Sequence, residues 1–134
     1  MVHERRRGTA LVETPDGILV VSEGARWYSL PGGGVGPDES GEDAAVRELL
    51  EETDLERVRS SFLFEHRGTI RRSRHGGYYR DIHEVFLVRT KGVAKPRGEV
   101  RRIAYFHDSR PALPRDARAI IERYRRAKNR SPKP

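Results

Sequence analysis

The sequence predicts one mixed α/β domain in which strands and two helices pack as layers. Its 134 residues are enough for a single hydrophobic core. Short apolar runs with strand character alternate along the chain with two segments of helical character, and no internal repeat or linker divides them. We therefore expect a single domain at residues 1–128 and a disordered C-terminal tail at residues 129–134.

Six short runs rich in β-branched and aromatic residues are the predicted strands. In chain order they are residues 8–13, 18–22, 27–30, 60–65, 82–90 and 102–106. The Asp-Gly pair at 16–17 predicts a hairpin between the first two runs, and the polar, arginine-rich segment 67–81 predicts a hairpin between the fourth and fifth. The glycine run 32–34 is expected to stop regular structure after the third.

Two segments are predicted helices. The first begins at Ser40 or Glu39 and runs to about Thr53, with acidic residues in its first turn, where the helix dipole favours them. The second covers residues 114–127, because apolar residues recur there at helical spacing and a proline lies near the first turn. The apolar arc of the first helix, expected to pack against the sheet, consists of Ala45, Val46, Leu49 and Leu50.

Composition narrows the classes of function. The formal net charge is +7, and 23 of the 27 basic residues are arginine, a side chain suited to bidentate phosphate contacts. Phosphate-bearing partners are favoured, although a compositional bias of the source would give the same surface. The absence of cysteine excludes disulfides, thiol nucleophiles and thiolate metal sites. No run approaches the roughly 18 apolar residues of a membrane span, so we expect a cytoplasmic protein without a membrane partner.

Three glutamates of the first helix form an acidic face. Glu48, Glu51 and Glu52 share an arc of roughly 100°. Like charges at this spacing destabilise a helix by about 0.2 to 0.5 kcal/mol per pair, a cost that a bound cation reverses. Carboxylate oxygens suit Mg²⁺ or Mn²⁺, whereas the alternative is a solvated acidic surface. The preceding glycines at 32–34 favour a site, because their backbone can approach a ligand closely.

The stretch from Gly33 to Leu55 resembles the Nudix box, the signature of the Nudix hydrolases. The matching positions, at the family's spacing, are Gly33, Glu39, Arg47, Glu48, Leu49, Glu51, Glu52 and Leu55. Asp54 stands where the family has glycine. We expect Asp54 to cap the helix at positive φ, where Asn and Asp are the least costly non-glycine residues. The departure is therefore expected to affect stability rather than chemistry.

The resemblance implies a fold and an activity. The fold would be an α/β/α sandwich with a mixed β-sheet between helices. The activity would be Mg²⁺-dependent hydrolysis, with Mn²⁺ as a possible substitute, of a phosphoanhydride in a nucleoside diphosphate linked to another group. By the same resemblance Glu51 and Glu52 are the principal metal ligands, and the carbonyl of Gly32 is a further candidate. Glu48 would be metal-bound or the general base.

Other residues receive supporting roles from the resemblance. Arg47 would orient the carboxylates, and Glu39 with Arg47 would form a structural ion pair. An acid downstream of the box often completes the metal site or acts as base in the family. Glu99 is the first candidate for that role and Glu84 the second, although either could be a surface charge.

Candidate substrate contacts are aromatic, cationic or backbone groups around the box. Trp27 and Tyr28 could stack on a base, or they could belong to the core. The hairpin segment 71–80 combines cations with stacking rings, as nucleotide and single-stranded RNA sites do, although a solvated hairpin tip would look the same. The expected contacts are Arg26, Trp27, Gly33, Gly34, Arg74 and Tyr79.

The leading hypothesis is a MutT-like nucleoside triphosphate pyrophosphohydrolase that releases a monophosphate and pyrophosphate. Different substrates that the residues also allow are ADP-ribose, dinucleoside polyphosphates or an RNA 5′ end. A hypothesis of another class is a non-catalytic module that binds a nucleotide or RNA, against which the intact charged box positions argue. The sequence leaves open whether the protein is a monomer or a homodimer.

Overall fold

The computed structural model describes residues 1–24 and 26–130 as eight strands and two helices. The strands are β1 Val2–Leu11, β2 Glu13–Thr14, β3 Gly17–Ser22, β4 Gly32–Gly34, β5 Glu56–Arg67, β6 Arg71–Arg72, β7 Tyr78–Lys91 and β8 Arg102–Phe106. The helices are α1 Gly41–Thr53 and α2 Arg115–Arg130.

The strands form two sheets between the helices. The larger sheet has the order β4-β1-β7-β5, with β6 also paired to β7, and the smaller has the order β2-β3-β8. Strands β1 and β7 are parallel and all the other pairs are antiparallel, so the sheet is mixed. The expected α/β/α sandwich with a mixed sheet is confirmed.

Side-chain alternation along the strands builds a core on each face of the sheets. On β1, Leu11 points to the α2 side, while Ala10 points to the α1 side. The α2-side core also contains Ile120 and Ile121 of α2, and the α1-side core contains Leu49 of α1; all three are fully buried. The predicted apolar arc of α1 is correct for Ala45 and Leu49, but Leu50 is 41% exposed.

Three strands are longer than their apolar runs. Strand β1 begins at Val2, six residues before the predicted start, and the added segment pairs with the start of β7. Ion pairs cross this polar part of the ladder, with 2.9 Å between Arg5 Nε and Asp81 and 3.1 Å between Arg6 Nε and Glu84. An apolar pattern cannot reveal such an extension, because charged cross-strand pairs rather than buried side chains accompany it.

Two predictions about the N-terminal half need correction. The predicted hairpin pairs only at its tip, because the chain changes sheet near Val12 and β1 continues in the larger sheet. Residues 27–30 form no strand, only a single bridge between Ser29 and Val21. The short strand lies instead at the glycines 32–34, which were expected to stop regular structure; without side chains their backbone pairs closely with β1.

Helix α2 continues to Arg130, three residues beyond the predicted end. Glu13 holds the last turns, because it accepts hydrogen bonds from Tyr124 Oη at 2.7 Å and from Lys128 Nζ at 2.9 Å. Residues 129 and 130 are thus helical, and the remainder of the expected tail, 131–134, lies outside the described residues. Neither α1 nor α2, the helices of the described chain, is long and apolar enough to cross a membrane.

The two ends of α1 are capped. The Ser40 hydroxyl accepts a hydrogen bond from the backbone N–H of Asp43 at 3.0 Å. At the other end Asp54 has φ 66°, and its N–H donates to the carbonyl of Leu50 at 3.0 Å. Asp54 thus caps the helix in the left-handed conformation where the family has glycine. Hydrogen bonding to Arg97 also lowers the pKa of the Asp54 carboxyl.

Replacing Asp54 with Gly is expected to leave the melting temperature unchanged or to raise it by a few degrees. Glycine relieves the strain of positive φ, while the lost ion pairs with Arg97 and Lys95 are exposed and contribute little. Thermal unfolding followed by circular dichroism measures the effect. Asp54→Ala is the control: it keeps the strain and removes the carboxylate, so it should melt lower. A clear loss of stability in Asp54→Gly would contradict the capping account.

Candidate active site

A cleft of about 810 Å³ lies between the C-terminal half of α1, strand β4 and the segment 97–100. It brings together six acidic or glycine positions that the sequence singled out, and Glu99 from a distant part of the chain. Its lining residues are Arg7, Glu23, Gly32, Gly33, Gly34, Glu48, Leu50, Glu51, Glu52, Arg97, Gly98, Glu99 and Val100. The lining thus includes five carboxylates and two arginines.

Arg47 joins the glycine-rich loop to the helix. Its Nε and Nη2 donate to the two oxygens of Glu39 at 2.7 and 3.0 Å, a bidentate geometry. Glu39 in turn accepts a hydrogen bond from the N–H of Gly36 at 2.9 Å. The Arg47 hydrogen bond, followed by that of Gly36, lowers the pKa of Glu39 to about 2. The Glu39–Arg47 ion pair therefore has the geometry to fix the glycine-rich loop against helix α1.

The same guanidinium orients two carboxylates of the acidic face. Arg47 Nη1 lies 2.8 Å from Glu48 Oε1 and 3.3 Å from Glu51 Oε1. Burial, and then the proximity of Glu51, raises the pKa of Glu48. A methyl group on Gly33 would lie 1.8 Å from Glu48 Oε2, so the carboxylate packs directly against the strand backbone. A side chain at position 33 would therefore displace the Glu48 carboxylate from this position.

Glu52 is the most buried carboxylate of the acidic face. Its Oε1 accepts a hydrogen bond from the N–H of Gly32 at 3.1 Å. Burial raises its pKa to about 7; the Gly32 hydrogen bond opposes this shift and the charge of Glu48 adds to it. A nearby positive charge would stabilise the charged form of a carboxylate in this environment.

The donor set fits Mg²⁺ or Mn²⁺, because the cleft offers several carboxylate oxygens and strand backbone beside them. Among residues 1–24 and 26–130, however, no three acidic or histidine side chains are already gathered into a metal site. Glu52 faces the Gly32 amide, while Glu48 and Glu51 face Arg47. Binding of a cation therefore requires these carboxylates to come closer together around the ion.

The segment 95–100 is tied to the end of α1. The N–H of Lys95 donates to the carbonyl of Thr53, and the N–H of Arg97 donates to the carbonyl of Glu52, each at 3.0 Å. These bonds satisfy carbonyls that a helix end leaves without partners. They bring Glu99, the first candidate for the additional acid, into the cleft. The second candidate, Glu84, is bound to Arg6 on the α1 side of the sheet and does not line the cleft.

The expected substrate contacts divide into two groups. Gly33 and Gly34 line the cleft, and Trp27 lines an adjoining cavity together with Gly32 and Glu52. Trp27 is 50% exposed, so it is not a core residue. The guanidinium of Arg26 lies 5.9 Å from the centre of the Trp27 ring.

The structure does not bring Arg74 and Tyr79 to the cleft. Tyr79 pairs with His3, whereas the glycine strand pairs with residues 7–9, four to six residues or about 13 to 20 Å further along β1. Arg74 lies in the turn beyond Tyr79, between β6 and β7. A mononucleotide at the carboxylates would therefore not touch either residue.

Sequence reasoning missed several residues of the cleft. Leu50, predicted to be buried, lines it, and so do Arg7, Glu23 and Arg97. Arg97 is placed by hydrogen bonds to α1, which no local pattern encodes. For Arg7 a signal did exist: in the run Arg5 to Arg7 on a strand, side chains alternate, so Arg7 lies on the face opposite Arg6.

Comparison with known proteins agrees with this geometry. The NUDIX domain family model matches residues 3–124. A nudix hydrolase family member from Chromobacterium violaceum superposes with a TM-score of 0.79 at 34% identity, over 96% of this chain and 81% of that chain. MutT protein from Methanosarcina mazei Go1 has a TM-score of 0.77 at 23% identity, over 97% and 98% of the two chains.

A third similar structure contains a ligand. The NUDIX domain of Shewanella oneidensis NrtR, complexed with ADP ribose, has a TM-score of 0.68 at 17% identity, over 96% of this chain and 89% of that chain. At such identity it shows likeness of fold alone. The search of curated proteins found no match. The family model covers residues 3–124, a range that contains the box and nearly all of the sandwich. The protein therefore belongs to the Nudix hydrolase family, as a hydrolase of pyrophosphate bonds.

Proposed function

We propose that the protein is a MutT-like nucleoside triphosphate pyrophosphohydrolase that acts in the cytoplasm with Mg²⁺, or with Mn²⁺ in its place. It would release a nucleoside monophosphate and pyrophosphate. One observation carries the proposal: a single cleft is lined both by the acidic face of α1 and by Arg7 and Arg97. Such a cleft can hold a cation and a polyphosphate together, because its glutamates attract the cation and its arginines attract the polyphosphate.

The carboxylates divide the work between metal and water. Glu51 and Glu52 would hold the cation, with Glu48 and the carbonyl of Gly32 as further ligands. When bound, the cation neutralises charge on the polyphosphate and lowers the pKa of a water molecule. Arg47 keeps Glu48 and Glu51 oriented through its hydrogen bonds. Glu48 or Glu99 would accept the proton from the attacking water, since both line the cleft.

The experiment that tests the proposal is a hydrolysis assay with and without Mg²⁺ across nucleoside triphosphates, ADP-ribose, dinucleoside polyphosphates and 5′-triphosphate RNA. We expect the highest kcat/KM with a nucleoside triphosphate and pyrophosphate as the product. Preference for ADP-ribose, the ligand in the Shewanella oneidensis domain, would replace the substrate but keep the hydrolase. Tight nucleotide binding without turnover of any compound would favour a binding module.

An RNA 5′ end is the second candidate substrate, and the position of the arginine-rich hairpin favours it over ADP-ribose and dinucleoside polyphosphates. A polymer bound at the carboxylates could extend along β1 to Arg74, whereas a mononucleotide is too short to do so. Arg74→Ala separates the two cases. It should leave nucleoside triphosphate hydrolysis unchanged, and a loss of activity with 5′-triphosphate RNA alone would identify RNA as the substrate.

A further inference from the structure

Arg7 has an unusual environment for an arginine. Its Nε is buried and has no hydrogen-bond partner, and within residues 1–24 and 26–130 the side chain makes no hydrogen bond or ion pair. Its neighbours differ: Arg5 pairs with Asp81, and Arg6 pairs with Glu65 and Glu84. Leaving a guanidinium donor buried without an acceptor costs stability. The Arg7 guanidinium is thus a cationic donor that has no acceptor within the described part of the protein.

Arg7 also stands where three cavities meet. It lines the carboxylate cleft, the adjoining cavity beside Trp27, and an inner chamber of about 190 Å³ beneath α2. Glu52 and Gly32 are shared by the first two cavities, and Leu30 by the last two. Arg7 therefore borders all three spaces, from the acidic face of α1 to the cavity beneath α2.

The inner chamber is polar, and its other groups are already engaged. The Thr9 hydroxyl lies 2.9 Å from His83 Nδ1. Asp116 accepts hydrogen bonds from the N–H of Thr69 at 3.1 and 3.2 Å, and Arg71 lies 3.5 Å from it. Burial, and then the charge of Arg7, lowers the pKa of His83 to about 4, so this imidazole is neutral and does not compete for an anion. Within the described residues, Arg7 is thus the one cationic side chain lining these cavities that has neither a hydrogen bond nor an ion pair in the protein.

We propose that Arg7 binds the substrate phosphate that carries the organic group, next to the phosphates held at the acidic face. The inference rests on the proposed function, since it assigns a second anchor in the same cleft. A phosphate in the cleft would supply the acceptor that the Arg7 guanidinium lacks among the described residues, and the planar fork suits bidentate contact with phosphate oxygens. Arg7 is therefore a substrate-binding residue and a determinant of affinity, whereas the glutamates determine the rate.

The test compares ligands that differ only in one phosphate. Metal-free calorimetry measures the affinity of the protein for adenosine and guanosine 5′-monophosphates and for the corresponding nucleosides. The wild-type protein should bind the monophosphates more tightly. In Arg7→Gln that advantage should fall by roughly 10- to 100-fold, the range expected for a hydrogen bond to a charged group. Arg7→Lys should retain part of it, because it keeps the charge but loses the planar fork.

Steady-state kinetics on the best substrate of the panel give the second readout. Arg7→Gln should raise KM with a smaller change in kcat, and its melting temperature should not fall, because an unpaired buried donor is removed. Arg5→Gln is the matched control: Arg5 lies on the same face of β1, is paired with Asp81, and lies outside the cleft, so the variant should keep the wild-type KM.

The outcomes separate this inference from the proposed function. If the wild-type protein hydrolyses the panel but Arg7→Gln keeps the wild-type KM and the wild-type advantage for monophosphates, Arg7 is not a phosphate anchor. A lower melting temperature with unchanged KM would assign it a structural role instead. If no compound is hydrolysed, the proposed function fails, and the monophosphate comparison still decides the role of Arg7.

Discussion

Glu52→Gln is expected to lower kcat by about 10²- to 10⁴-fold while the protein remains folded. The side chain keeps its size and can still accept the hydrogen bond of Gly32, but it loses the charge that a cation needs. Because burial already disfavours the charged form of Glu52, neutralisation should not destabilise the apo protein. Turnover at saturating Mg²⁺ gives kcat, and circular dichroism verifies the fold.

Glu51→Gln should act in the same direction. Glu56→Gln is the control, because it removes an exposed carboxylate a few residues further on, on β5 and outside the cleft. It should retain wild-type turnover. If Glu51→Gln and Glu52→Gln both retain rates near that of the wild type, the acidic face does not hold the metal and the proposed chemistry is wrong.

The largest expected loss of stability is that of Gly8→Ala. A methyl group on Gly8 would lie 2.2 Å from the carbonyl oxygen of Gly41 and 2.6 Å from the backbone nitrogen of Ala45. These atoms belong to the backbone of α1, so no side-chain rotation relieves the clash and the helix must move away from β1. We expect a loss of about 3 kcal/mol in the free energy of unfolding. Urea denaturation measures it.

Gly34→Ala is the matched control for that experiment. Gly34 lies on the neighbouring strand β4, and a methyl group there would have no heavy atom within 4 Å. Its stability should equal that of the wild type within about 0.5 kcal/mol. Equal stability of Gly8→Ala and the wild type would show that α1 does not pack on β1 as closely as described. Reduced turnover in Gly8→Ala is expected as well, since α1 carries the carboxylates.

The sequence predicted α1 and its acidic face well, because the signals are local. Ser40 caps the start, Asp54 adopts positive φ at the end, and the helical period places Glu48, Glu51 and Glu52 together. The sandwich itself was expected only through the resemblance of the box to a family. Apolar runs located the buried halves of the strands but not their charged extensions.

What the sequence did not predict depends on contacts between distant residues. Glu99 was expected at the site only through the family resemblance, because no periodicity marks its segment; it reaches the cleft because segment 95–97 binds the last carbonyls of α1. Arg7 belongs to the cleft because β1 pairs with β4 from Arg7 onward, which brings Arg7 beside the glycines of the site. Arg74 and Tyr79 have a composition suited to nucleotides, but the length of β1 separates them from the carboxylates. Composition indicates a chemistry, whereas register decides which groups meet.

The bonds from Lys95 and Arg97 to the end of α1 affect how a ligand enters. They tie the segment that carries Glu99 to helix α1, which carries the glutamates, so the two cannot move apart without uncapping the helix. The adjoining cavity beside Trp27 shares Gly32 and Glu52 with the cleft and offers another direction in which a ligand can extend. Inhibitors with bulk directed toward Trp27 should be admitted, and those with bulk directed toward Glu99 should be refused.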